Sequence, residues 1–305
     1  MSGGGFRSTL FQIGTLTRLN EFGLLPKLAC LSSVSGGSIA NGFLASLWPQ
    51  LAFNAAGMAN NLKDIFTTPL IAFCSKSIDV PSVVTGFINP FKHMSDELVE
   101  SLDDHLFKKK SLQDLPDAKA GAVPRFVFNA TSMQSGVRFW FSKEDAGDYR
   151  IGVTKAPKIS LARAVAASSA FPPFFAPLEI DLSGMRFESA KDKAGVKDIS
   201  DLLNIADFHD AAMLADGGTY DNMALEAVWD TYDTVWVSDA GSPFEPSADV
   251  SRDWIREMMR IIDLMMRADE AERRRELIDK FTAAKNGANV GVKGAYWGIA
   301  TVIAH

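Results

Sequence analysis

Residues 28–48 read LACLSSVSGGSIANGFLASLW, and the fold turns on how they are read. Leu28 to Val34 is a short, mostly apolar run, the composition of a buried strand. Ile39, Phe43 and Leu47 then recur at i, i+4 and i+8, the spacing of one helix face. Only SVSGGS, Ser33 to Ser38, is left to turn the chain between them. The stretch therefore predicts a strand, a sharp turn and a helix.

A serine on such a turn has two readings. Ser35 can cap the helix that follows, a common place for serine. It can also be a nucleophile lifted above the sheet on an elbow. Small Gly36 and Gly37 would let a substrate carbonyl approach, and the new helix would aim backbone N–H groups at a developing oxyanion. The usual elbow pattern is GxSxG; here Ser33 takes the place of the first glycine, one small residue for another. Ser32, Ser33 and Ser38 are expected to be structural.

Working outward, Ile13, Leu16, Leu19 and Phe22 predict a helix over residues 9–22, closed by Gly23. Residues 49–117 read as helical pieces joined by loops and covering one end of the sheet. RFVFNAT (125–131) and VRFWFS (137–142) read as two strands joined by a short turn. LARAVAASSA (161–170) is a helix that FPPFFAP stops. AAMLADGG (211–218) is a strand ending at Asp216, LEAVWDTY (225–232) a helix and TVWVSDA (234–240) a strand. Residues 251–281 form a long helix with Trp254, Ile255, Met258, Ile261, Ile262, Met265, Leu277, Ile278 and Phe281 on its apolar side; Arg273 to Arg275 read as a solvated face. No repeat or linker divides the 305 residues. Strands alternating with helices predict a single α/β domain over 1–305 with a central, mainly parallel sheet.

Bulk composition narrows the function. A formal net charge of -6 argues against nucleic acid as partner. The two cysteines, Cys30 and Cys74, have no metal or disulfide spacing and read as buried small apolar side chains; neither metal nor cofactor is expected. Residues 28–62 carry no charge, but serines, glycines, asparagines and Pro49 interrupt them too often for a membrane span, so they read as protein interior. No signal peptide is visible, which leaves a cytoplasmic or peripheral membrane location as the expectation.

A nucleophilic serine needs a base. The four histidines, His93, His105, His209 and His305, occupy no recognisable strand-end turn. Asp216 does, with Gly217 and Gly218 behind it. Taken alone, Asp216 organises its own turn. Taken with Ser35, a Ser-Asp dyad follows, in which burial raises the aspartate's pKa so that it acts as the base directly.

Four blocks now stand in order: SGGGFRS (2–8), SVSGGS (33–38), AVAASSAFPPFF (164–175) and ADGGTYDN (215–222). Together they resemble the patatin-like phospholipases. That resemblance implies a three-layer α/β/α fold, a Ser-Asp dyad without histidine and no metal. It carries the nucleophile to Ser35, the aspartate to Asp216 and a glycine-rich oxyanion loop to Gly3, Gly4 and Gly5, with its arginine on Arg7. It implies a substrate among acyl esters of phospholipids, lysophospholipids or neutral lipids, met at a membrane or micelle surface. Successive glycine amides pointing into one concavity suit an oxyanion, with Gly36 adding its own; a phosphate-binding P-loop would need a lysine that does not follow these glycines. Arg7 either steadies the loop or meets a lipid phosphate. FPPFFAP and the apolar stretch 66–91 read either as an interfacial wedge or as core and lid packing. A soluble esterase and a low-turnover lipid-sensing module are the alternatives in function. The glycine loop should hang from a strand, and Met1 leaves no room for one; the sheet is thus expected to lack its first strand, with the chain cut short at both ends.

Overall fold

A computed structural model describes residues 1–78, 94–172, 175–191, 197–241, 244–251 and 253–301. The opening stretch folds as its pattern predicts. Strand β1 (Cys30–Ser33) leads through Ser35 into helix α2 (Gly36–Leu47). Every residue of α2 from Gly36 to Ser46 is buried, which is why this helix carries no charge on any face. Its one amide, Asn41, donates from Nδ2 to the Leu31 carbonyl (3.0 Å) and to Ser33 Oγ (2.9 Å), pinning α2 to β1. Helix α1 (Gly5–Glu21) starts four residues before the predicted Thr9, directly on the glycine run, and ends at Gly23 with φ 63°.

Beyond α2, after single helical turns at Trp48–Gln50 and Lys63–Thr67, comes α3 (Thr68–Ile78), and α4 (Met94–Leu102) is the next described helix. Phe66, Leu70, Phe73 and Cys74 are buried in the core, while Ile71 is exposed; residues 79–91 lie outside the described residues, as does His93. The chain continues as β2 (Arg125–Ser132), β3 (Arg138–Phe141), β4 (Asp145–Asp148), β5 (Gly152–Lys155), α5 (Leu161–Ser168), β6 (Leu178–Asp181), β7 (Phe187–Glu188) and β8 (Ala211–Asp216). A short α6 (Gly218–Asp221), β9 (Thr234–Asp239), the long α7 (Trp254–Lys285) and β10 (Lys293–Gly298) complete it. No helix among the described residues is long and apolar enough to cross a membrane.

The expectation of a mainly parallel sheet is corrected. The large sheet runs β6-β8-β2-β3-β4-β5-β7, every pair antiparallel, and β1 alone joins β2 in parallel. β9 and β10 form a separate parallel pair. The reason is connection length. Only five residues separate β2 from β3, and three each separate β3 from β4 and β4 from β5. Such links make hairpins, whereas a parallel crossover needs a dozen residues or more. The small strands DAGD and GVTK carry too few apolar residues to be legible as strands.

One consequence positions the site. β1 and β8 both pair with the same edge of β2, because β3 takes the other edge opposite both Phe128 and Ala130. β1 arrives from one end and stops with Ser33 opposite Phe128; β8 arrives from the other and stops with Asp216 opposite Ala130. The two strand ends meet head to head across Asn129.

The main core holds α1, α2, α5, β1 and β2 around Phe66, Phe107, Phe128, Phe139 and Phe141. A second, smaller core gathers Met223, Leu225, Val235, Val237, Leu277 and Val292. The predicted helix over 225–232 is instead a run of turns, with Trp229 and Val228 N–H both donating to the Leu225 carbonyl; eight residues are too few for a helix to stand on propensity alone. The expected apolar side of α7 divides. Leu277 is buried in the second core, but Trp254, Ile255, Met258, Ile261 and Met265 are exposed.

Candidate active site

Ser35 holds φ 50° and ψ -129°, a conformation that non-glycine residues rarely adopt. Three groups hold it there. Its N–H donates to the Ser168 carbonyl at 3.0 Å and to Ser168 Oγ at 3.1 Å. Its carbonyl accepts from Ser38 N–H at 2.7 Å. Beneath it runs a chain of buried hydroxyls: Ser33 to Ser38 at 2.9 Å, Ser38 to Ser168 at 2.9 Å and Ser168 to the Asn129 carbonyl at 2.6 Å. The serines around the elbow are therefore structural, as expected.

The elbow glycines are required by close approach of backbone. A Cβ on Gly36 would stand 2.0 Å from the Gly5 carbonyl oxygen, and one on Gly37 would stand 2.7 Å from the Ser2 carbonyl oxygen. The N-terminal loop is thus laid directly on the turn. Thr9 Oγ1 donates to the Gly36 carbonyl at 2.9 Å and locks α1 to α2. Helix α2 begins directly after Ser35, and Gly5, the first residue of α1, lies against Gly36.

The three loop glycines differ. Gly3, expected as an oxyanion donor, is already committed: its N–H donates to the Asn222 carbonyl at 3.1 Å. Its Cα faces Ser35, whose Cβ lies 3.1 Å from where a Gly3 side chain would begin. Gly4 has φ 135° and Gly5 φ 62°. The amides of Gly4, Gly5 and Gly36 have no acceptor among the described residues; Gly5 and Gly36 each open a helix, where the first N–H groups have no partner within the helix. Arg7 lines the same pocket.

Asp216 is 2% exposed and accepts from Gly218 N–H at 2.7 Å. Burial pushes its carboxyl up to about 6, against the opposing pull of the Gly218 amide and the nearby Ser35 hydroxyl. Its neighbour Gly217 is forced by the Asn129 carbonyl, 2.2 Å from a would-be Cβ. Gly217 N–H donates to the Ser168 carbonyl at 3.3 Å, the same oxygen that holds Ser35 N–H. One carbonyl at the C-terminus of α5 therefore ties both turns together.

The pocket around these groups has a volume of about 440 Å³, within the range of small-molecule sites. Phe6, Ile39, Leu98, Phe171, Phe175 and Met266 give it apolar lining; Arg7, Asp263 and Arg267 join Asp216 as its ionisable lining. Two of the FPPFFAP aromatics thus face the pocket. Among the described residues no histidine lines it: His105 packs on Phe73, and His209 Nε2 meets the Ile151 carbonyl at 2.9 Å. His305 lies outside the described residues. No group of three or more His, Cys, Asp and Glu among the described residues is placed to hold a metal.

Sequence reading missed four supports. Asn129 interrupts the apolar run of residues 126–130 in β2, and that contrast was its signal; Nδ2 donates to the Ser33 carbonyl and to Ser32 Oγ, both at 2.9 Å. Ser168 was visible inside the AVAASSA block. Asn222 was visible inside ADGGTYDN; its Oδ1 lies 2.6 Å from a would-be Cβ on Gly3 and 2.7 Å from one on Gly218. Glu270 had no signal. It is 4% exposed, approaches Asn222 Nδ2 at 3.4 Å and pairs with Arg267 and Arg274. Burial, and then the nearby Asp239, raise its pKa. Arg273 and Arg274 are correspondingly not a free solvated face: Arg274 meets Asp239 at 2.9 Å and Arg273 meets Asp221 at 4.0 Å.

Comparison with known proteins adds the following. The family model described as patatin-like phospholipase matches residues 1–229. Among solved structures, human GIVD cytosolic phospholipase A2 is similar at 14% identity and TM-score 0.47, over 78% of this chain and 42% of that one. VipD from Legionella pneumophila is similar at 17% identity and TM-score 0.40, over 97% of this chain and 60% of that one. The chain therefore spans less than two thirds of the length of either. No curated protein matches it.

Proposed function

The chain belongs to the patatin-like phospholipase family, and from that premise we propose that it hydrolyses fatty-acyl esters of phospholipids or lysophospholipids through a Ser35–Asp216 dyad. Asp216 takes the proton of Ser35 Oγ as that oxygen attacks the acyl carbonyl. The carbonyl oxygen becomes an oxyanion held by the amides of Gly4, Gly5 and Gly36. The tetrahedral species collapses, the alcohol leaves with the proton from Asp216, and the acyl group stays on Ser35. Water, losing its proton to Asp216, then releases the fatty acid and restores the serine. The observation that carries this reading is the buried carboxyl of Asp216, set in the same pocket as Ser35 and raised by burial toward the range of a useful base. Asn222 and Glu270 would act indirectly, by holding the loop in place.

A lipid surface is the proposed meeting place with substrate. Trp254, Met258, Ile261 and Met265 are spaced i, i+4, i+7 and i+11 on α7, and all are exposed. The same stretch of the helix supplies Asp263, Met266 and Arg267 to the pocket. The apolar pocket wall would receive the acyl chain.

The test is a panel of p-nitrophenyl esters with short and long acyl chains, with and without phospholipid vesicles. A lipid acyl hydrolase prefers the long chains and responds to vesicles; a preference for acetate without vesicle response would establish a soluble esterase instead. Absence of fluorophosphonate labelling at Ser35 would establish a low-turnover lipid-sensing module.

The pH dependence follows from Asp216. As the base it must be ionised, so kcat/KM rises through pH about 6 and then levels. Stability runs the opposite way. The folded-state value lies above the ordinary 3.8, so ionising this group opposes folding. That opposition is absent below about pH 4 and complete above about pH 6. Asp216→Asn is therefore expected to abolish turnover while raising Tm more at pH 8 than at pH 4, as thermal melts at the two pH values would show.

A further inference from the structure

Helix α7 lies beyond residues 1–229, the span the family match covers, yet it lines the pocket with a charged pair. Asp263 and Arg267 stand one helical turn apart, and Arg267 Nε donates to Asp263 Oδ1 at 3.1 Å. Arg267 Nη1 donates to Glu270 Oε2 at 3.0 Å. Glu270 is buried and is itself held by Arg274 Nη2 at 3.1 Å, a nitrogen that also reaches Asp239 at 2.9 Å. The Arg267 guanidinium is thus fixed in orientation by two acids, one of them in the interior.

Two polar ends of the pair are unspent. Arg267 Nη2 and Asp263 Oδ2 have no partner among the described residues. Both side chains are partly exposed, and an open pair at this spacing contributes little to stability. What it offers a pocket is a positive and a negative end side by side. The wider cluster has no surplus of either sign. Asp239, Asp263 and Glu270 pair with Arg267 and Arg274, and Arg7 lines the pocket from α1. Asp216 apart, three acids stand against three arginines, so no excess of positive charge draws a purely anionic ligand.

We propose that Asp263 and Arg267 form a headgroup subsite for a zwitterionic phospholipid, with the phosphate on Arg267 Nη2 and the ammonium of the head beside Asp263 Oδ2. The inference rests on the reading of the pocket as an acyl-lipid site. A phosphate accepts well from a planar guanidinium whose orientation is already fixed. An ammonium joined to that phosphate by a short carbon link falls beside the same arginine, where Asp263 stands. An anionic head without an ammonium meets Asp263 as a like charge. The subsite therefore rejects one class of head by repulsion as well as selecting the other by attraction. Phe6, Ile39 and Leu98, on α1, α2 and α4, leave the acyl chain an apolar lining on other elements.

The experiment measures binding by titration calorimetry in the full chain carrying Ser35→Ala, so that no lipid is consumed. Three probes share one lauroyl chain and stay below their micelle concentrations: monolauroylglycerol, without phosphate; lysophosphatidylglycerol, which is anionic; and lysophosphatidylcholine, which is zwitterionic. Lysophosphatidylcholine is expected to bind about tenfold more tightly than monolauroylglycerol and about fivefold more tightly than lysophosphatidylglycerol. Adding Asp263→Asn is expected to erase the second ratio, by weakening the choline lipid and tightening the anionic one. Adding Arg267→Gln is expected to erase the first. Arg267→Lys keeps a charge beside Glu270 and is expected to retain part of the first ratio, which separates lost phosphate binding from a disturbed Glu270. Each value is a ratio within one variant, so a general loss of affinity cancels. A preference for lysophosphatidylcholine over lysophosphatidylglycerol that survives Asp263→Asn would overturn the proposal and leave the acyl-lipid reading in place. Equal binding of all three lipids by the Ser35→Ala parent would do the same. Binding of none of them would overturn both. Selective binding as expected, with no fatty acid released when Ser35 is intact, would support the subsite and strike the hydrolase reading alone.

Discussion

Replacing Ser35 by alanine is expected to lower acyl-ester hydrolysis by on the order of 10⁶-fold, the loss seen when a serine nucleophile is removed. The fold should survive the change. Ser35 is held by its backbone, through Ser168 and Ser38, and alanine keeps both bonds and the same Cβ. What disappears is the hydroxyl beside Asp216. Tm is therefore expected to stay within a few degrees of wild type, and fluorophosphonate labelling should vanish with turnover. A Ser35→Ala protein that keeps a tenth of wild-type activity, measured as fatty acid released, would remove Ser35 from the reaction.

Gly36→Ala is the second large effect, and it acts through shape. The new methyl would stand 2.0 Å from the Gly5 carbonyl oxygen and 3.1 Å from Thr9 Oγ1. Backbone cannot yield as a flexible side chain can, so the loop carrying the Gly4 and Gly5 amides must retreat by about 1 Å or more. A misplacement of that size costs on the order of 10²-fold in rate. Overpacking at a buried contact adds about 1–3 kcal/mol of lost stability. Gly5→Ala is the control. A Cβ there meets nothing within 4 Å, yet φ is 62°. That variant should lose about 1–2 kcal/mol to left-handed backbone strain while keeping most of its kcat. Equal kcat in the two variants, with both still folded by circular dichroism, would mean that the loop's seat on the elbow does not serve the chemistry.

Both predictions rest on parts of the chain that are legible in the amino-acid sequence, and the reason is range. A strand, a tight turn and a helix within about twenty residues announce themselves by local periodicity and by small residues at the bend. The same holds for Asp216 before its two glycines. Buried α2 is legible too, because a helix enclosed on every side has no charged face to show. The Gly3 amide is misassigned by sequence because its acceptor, the Asn222 carbonyl, lies more than two hundred residues away. Arg273 and Arg274 are misread for a similar reason. Their partners Asp221 and Asp239 sit on other elements, so only a short run of charge is visible along the helix.

By itself the sequence determined the strand, tight turn and helix around Ser35, the glycines that let backbone pass close to backbone, and the turn at Asp216. Tertiary structure alone decided how the two turns meet. Parallel strands would have set Ser35 and Asp216 side by side at one edge of the sheet. Instead β1 and β8 reach the same edge of β2 from opposite ends, meet across Asn129, and are tied by the single carbonyl of Ser168. Strand sense is set by which distant edges remain free for pairing, and local periodicity carries no record of that.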